Sequence, residues 1–140
     1  MNRELKFRVW DTKQNEWMGE SDPNTLKYYG FHLFGEVMAF QSVPPEYYQH
    51  MIVEQFTGFQ DKYGKDIYEG DILFIPGITP RPSNHYEVLW QDGAFKIETN
   101  KNPFMRTFNP LLSMYAGVND IDLIVIGNIH EDQELLKENK

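Results

Sequence analysis

The run Phe56-Thr57-Gly58-Phe59-Gln60-Asp61-Lys62-Tyr63-Gly64-Lys65-Asp66-Ile67-Tyr68-Glu69-Gly70-Asp71-Ile72-Leu73 places two tight turns between short strands. Gly64 and Gly70 stand where the backbone needs positive φ, which a Cβ resists. Such dense turn punctuation predicts a small, strongly coiled β structure.

The segments on either side fit that reading. Ile72-Leu73-Phe74-Ile75 and Leu123-Ile124-Val125-Ile126 are apolar at both parities. Each is expected to be a strand buried on both faces. Asp92-Gly93 is a two-residue hairpin signal. It predicts the register Gln91 to Ala94, Trp90 to Phe95 and Val88 to Ile97, with one apolar face from Tyr86 to Ile97. On the other face Glu87 opposes Glu98, which is tolerable only in contact with water. Towards the N-terminus, Leu5, Phe7 and Val9 alternate with Lys6, Arg8 and Trp10, so a strand with one apolar face is expected there. A polar turn over 11–15 leads into a second strand at Glu16-Trp17-Met18. Residues 28–34 and 36–40 read as short strands around Gly35, and 47–56 as a further strand. Pro44-Pro45 and the Pro-rich segment 76–84 break the chain. Asn109-Pro110 resembles a helix start, with Gly117 as its stop. A second short helix is expected within 131–137.

Size and composition bound the rest. One domain of 140 residues can bury a sizeable core, and 41% hydrophobic against 24% charged residues is a globular balance. The 3 Trp, 8 Tyr and 10 Phe suit half-buried sheet faces. The absence of cysteine excludes disulfides, thiolate zinc sites and cysteine nucleophiles, and agrees with a reducing cytoplasm. Charged residues interrupt the N-terminal segment, so no signal peptide is read, and no apolar run is long enough for a membrane helix. The net charge of −8 disfavours nucleic acid and anionic lipid as partners.

Chemical motifs are sparse. His32, His50, His85 and His130 lie too far apart for local metal-ligand spacing, so no metal or cofactor is expected. There is no nucleophile elbow and no phosphate-binding glycine loop. Two constellations stay as candidates. Asp66, Tyr68, Glu69 and Asp71 cluster around the Gly70 turn, where paired carboxylates run acid–base chemistry or bind Mg²⁺ or Ca²⁺. Their plainer role is to stabilise the turn. Lys6, Arg8 and Trp10 share one strand face, and basic groups beside an aromatic form a stacking platform for nucleic acid. The plainer role of Trp10 is to cap the core edge.

Four segments together resemble the YopX family of phage and prophage proteins. They are Lys6-Phe7-Arg8-Val9-Trp10-Asp11; Gln55 to Phe59 with Asp61 to Ile72; Val88-Leu89-Trp90; and Ile126-Gly127-Asn128-Ile129-His130-Glu131 before Leu135-Leu136. The resemblance implies a mainly β protein encoded by a phage or prophage. It implies no established activity and supplies no catalytic residues.

The expectation is therefore a mainly β fold: a coiled antiparallel sheet, or an SH3-like partly open barrel, with one short helix. Residues 1–54 form a hairpin and irregular extension, 55–130 the barrel-like core, and 131–140 a short tail. The expected function is that of a non-enzymatic module in the bacterial cytoplasm, binding an unknown protein partner or itself. The alternatives are a nucleic-acid-binding small β-barrel and a metal-assisted hydrolase.

Overall fold

The computed structural model describes residues 4–21, 23, 29–31, 37–39, 49–76, 85–98, 110–118 and 120–137. His32, the Pro44-Pro45 break, Asn109 and most of the 76–84 loop lie outside them. The protein is mainly β, and among the described residues every strand pair is antiparallel. It divides into two compact units, one of residues 6–55 and one of residues 56–140 with residues 1–5.

The first unit holds β1 (Phe7–Asp11), β2 (Glu16–Trp17), β3 (Tyr29–Phe31), β4 (Val37–Ala39) and the start of β5 (Met51–Gln60). Strand β1 lies between β2 and β5, with Trp10 opposite Trp17 and Arg8 opposite Glu54. The turn joining β1 to β2 forms because Asp11 Oδ1 accepts the N–H groups of Lys13 and Gln14, and Asn15 closes it at φ 53°. Strand β3 pairs with β4 as a separate ribbon. The expected apolar face of β1 is corrected by the structure. Leu5 and Phe7 are exposed, whereas Val9, Trp10 and Asp11 are buried in succession. Strict alternation fails because the strand is covered on both faces at its C-terminal end only.

The second unit contains the rest of β5, then β6 (Asp66–Tyr68), β7 (Asp71–Phe74), β8 (His85–Gln91), β9 (Ala94–Glu98) and β10 (Ile124–Asn128). Strand β5 pairs with β6 across a bulge between Phe56 and Gln60, where Gly58 adopts φ 89°. The remaining strands form a sheet in the order β10-β7-β8-β9. Gly64 and Gly70 have φ 82° and 84°, as their turns require. The Gly70 N–H donates to the Val88 carbonyl and its own carbonyl accepts from Ile129, so the β6–β7 turn is held from two sides. Among the described residues the two four-stranded sheets are antiparallel, and the one that holds β1, β2 and β5 is a curled half-barrel.

The β8–β9 hairpin has the register that Asp92-Gly93 dictates, including Glu87 opposite Glu98. Asp92 and Gly93 sit at φ 54° and 77°, the left-handed pair of a two-residue turn. Ile72, Leu73 and Ile75 are fully buried, and β7 is an interior strand. With Ile67, Tyr86, Val88, Ile97, Leu112, Ala116 and Leu123 they make the core. Strand β10 differs from expectation: it is an edge strand, and Ile126 is exposed beyond a bulge between Val125 and Gly127. After Pro110 the chain first bridges from Leu111 to Lys96, then forms a 3-10 helix, Leu112–Met114, with Gly117 at φ 74° beyond it. A second 3-10 helix spans Gln133–Leu136.

Candidate functional site

Two surfaces of the second unit carry chemistry-bearing side chains, and Asp61 is the centre of the first. Its Oδ1 accepts the N–H groups of Tyr63 and Lys65, and its Oδ2 accepts that of Val125 on β10. The next residue extends the contact, as Lys62 N–H donates to the Leu123 carbonyl. Asp61 is buried, and each of these donors is a backbone amide. Beside it lies an open depression of about 260 Å³ lined in part by Gln60, Lys62, Val118, Ile121 and Asp122. Lys62 Nζ donates to Asp122 Oδ2 at 3.2 Å across its rim, where both groups are about half exposed. The hydrogen bond and charge of Asp122 hold the Lys62 ammonium above the ordinary lysine value. The Lys62–Asp122 pair and the amide-bound Asp61 carboxylate give the recess a polar lining.

The second surface is the tip of the β8–β9 hairpin. Trp90 is 52% exposed and meets Phe95 edge to face, with ring centroids 4.8 Å apart. Val88 and Ile97, one step down the same face, are buried. The apolar stripe thus runs out of the core into solvent. Lys96 is tied to Asp92 at 3.1 Å across the turn.

The residues singled out from sequence are placed as follows. Asp71 is 1% exposed and its Oδ2 accepts the Tyr68 N–H. Tyr68 packs on Phe56, and Asp66 accepts from the Gln60 side-chain amide. Glu69 is half-buried in the turn. Among the described residues no three His, Asp or Glu side chains gather in a way that could hold a metal ion. In the first unit Trp10 is buried and meets Trp17 edge to face at 4.9 Å. The Arg8 guanidinium donates twice to buried Glu54 Oε2 and lies 4.3 Å from the Trp17 ring centroid. Lys6 is half-buried just before β1. A stacking platform needs an open ring and a cation able to reach phosphate. Here Trp10 is covered and Arg8 is engaged by a carboxylate and a ring.

Three features escaped the sequence. Asp61 reaches a partner 64 positions away. His50 Nε2 lies 2.8 Å from Asp11 Oδ1, across 39 positions, and its buried Nδ1 has no hydrogen-bond partner among the described residues. Neither pairing leaves a local spacing to detect. Trp90 belongs to the expected apolar face of the hairpin, and its exposure follows from its place at the tip, beside Asp92-Gly93.

Comparison with known proteins completes the placement. The chain matches the YopX protein family over residues 6–137. No curated protein matches it. It is similar in structure to protein EF1440 from Enterococcus faecalis, with 27% identity, a TM-score of 0.60, and coverage of 97% of this chain and 100% of that one. It also shares its fold with yopX from Bacillus subtilis, at 20% identity and a TM-score of 0.53, over 94% of this chain and 97% of that one. No helix among the described residues is long and apolar enough to cross a membrane. By a family match that spans nearly its whole length, the chain belongs to the YopX family.

Proposed function

We propose that this protein is a non-enzymatic interaction module that binds a protein partner, or a second copy of itself, through the tip of the β8–β9 hairpin. The observation that carries the reading is Trp90. A tryptophan costs solvation free energy when left in water, and this one is half exposed at the end of a rigid, correctly registered hairpin. Aromatic anchors of this kind dominate the energetics of protein interfaces. Phe95 supports the indole from below, so the ring is already oriented before a partner arrives. The family resemblance supports a setting in the cytoplasm of a bacterium carrying a phage or prophage.

The test compares the wild-type protein with Trp90→Ser. Mass is measured by light scattering across a concentration series, and partners are captured from phage-carrying host lysate with and without nuclease. Far-UV circular dichroism controls for folding. The expected result is that Trp90→Ser stays folded and loses either the concentration-dependent mass or a captured protein that survives nuclease. Equal mass and equal capture for both proteins would reject the reading. Capture that disappears with nuclease would favour nucleic-acid binding instead.

A further inference from the structure

We propose that Asp61 and Asp132 are edge guards, whose carboxylates occupy the outward amides of β10 and prevent a second copy of this chain from adding a strand there. Strand β10 ends its sheet, and an exposed strand edge is a template for pairing with another chain. The outer groups of β10 are already taken at successive places. Val125 N–H donates to Asp61 Oδ2 at 3.1 Å. Just before the strand, the Leu123 carbonyl accepts from Lys62 N–H at 2.8 Å. Asn128 N–H donates to Asp132 Oδ2 at 3.1 Å, and its carbonyl accepts from Asp132 N–H at 2.9 Å. The two carboxylates reach the strand from opposite directions along the chain, one from the β5–β6 turn and one from the segment after β10.

Two further observations support a guarding role. A Cβ on Gly127 would lie 2.5 Å from Asp132 Oδ2, so glycine at 127 is what lets this carboxylate lie against the strand. The bulge between Val125 and Gly127 also breaks the regular spacing that an incoming strand needs. Ile126 is exposed on this strand, so an unguarded β10 would present both unpaired amides and apolar surface. A single water would satisfy the same amides but would leave when a strand arrived; a tethered carboxylate stays. This inference is independent of the Trp90 surface, which lies on another strand.

The experiment compares Asp61→Ala/Asp132→Ala with the wild type and with Glu131→Ala/Glu134→Ala, which removes the same two charges from exposed positions. Light scattering over a hundredfold concentration range and thioflavin T fluorescence report association, with circular dichroism as the folding control. The Asp pair is expected to form dimers or larger β-paired species at concentrations where the other two proteins keep the wild-type mass. A folded Asp-pair variant with wild-type mass throughout would overturn the proposal, as would equal association by both double variants. Should the Asp pair not fold, hydrogen exchange on the wild type decides. Val125 and Asn128 amides are expected to be protected at least tenfold over unstructured peptide, and exchange at the unstructured rate would overturn the proposal.

Discussion

Replacing Asp61 by alanine tests the central structural claim. The residue is 8% exposed, and its carboxylate accepts three backbone N–H groups, two in its own turn and one on β10. A hydrogen bond to a charged group contributes about 1.5–3 kcal/mol. Simple addition overstates the loss, because Tyr63 and Lys65 are exposed and water can replace the carboxylate at their amides. Each of those two is better counted at about 0.5 kcal/mol, and the Val125 contact at about 1.5–2.5 kcal/mol. Asp61→Ala should therefore cost about 3 kcal/mol, which for a domain of this size lowers Tm by roughly 10 °C. A protein holding about 5–15 kcal/mol of stability would remain folded at room temperature. Asp61→Asn should be milder, at about 1–2 kcal/mol, because its single carbonyl oxygen serves the turn while its amide group faces another donor at Val125. Urea unfolding followed by tryptophan fluorescence measures both values. A loss below about 0.5 kcal/mol for the alanine variant, the range of an ordinary surface substitution, would refute the argument.

Two other perturbations follow from the same reasoning. Gly127→Ala sets a Cβ 2.5 Å from Asp132 Oδ2 and 2.8 Å from Asp132 Cβ, so the whole short side chain must move; a loss of about 1–3 kcal/mol in thermal melting, with faster exchange at the Asn128 amide, is the expected result. Asp11 gives a pH dependence. Burial raises its pKa, but hydrogen bonds from the Gln14 and Lys13 amides and from His50 outweigh that and bring it below the ordinary value of 3.8. Its stabilisation is thus present above that value and lost as pH falls through the lower folded value. The stability difference between wild type and Asp11→Asn should shrink as pH falls below about 4; a difference that stays flat from there to pH 2 would contradict this.

The Asp66, Glu69 and Asp71 turn illustrates how a chemical pattern and a folding pattern look alike in one dimension. Paired carboxylates around a glycine suit acid–base work. In the fold Asp71 accepts from the Tyr68 amide and Asp66 from the Gln60 side chain, bonds that serve the turn. The Lys6, Arg8 and Trp10 face also reads two ways from sequence; in the fold Trp10 is buried and Arg8 is bound to Glu54.

What the residues alone decided is what depends on near neighbours. Gly64 and Gly70 need positive φ whatever surrounds them, and Asp92-Gly93 sets every cross-strand pair from Gln91 to Glu98, because a two-residue turn leaves no freedom of register. The apolar run 72–75 could be read as buried, since no water-facing parity exists within it. The similar run 123–126 was misread, because the same pattern on an edge strand leaves Ile126 in solvent. Burial of Trp10 beside exposed Phe7, and the reach of Asp61 to Val125, were settled only when distant segments met. Backbone sterics act over two or three residues and are written into the chain, whereas the partner of a side chain depends on which remote strand the fold brings alongside it.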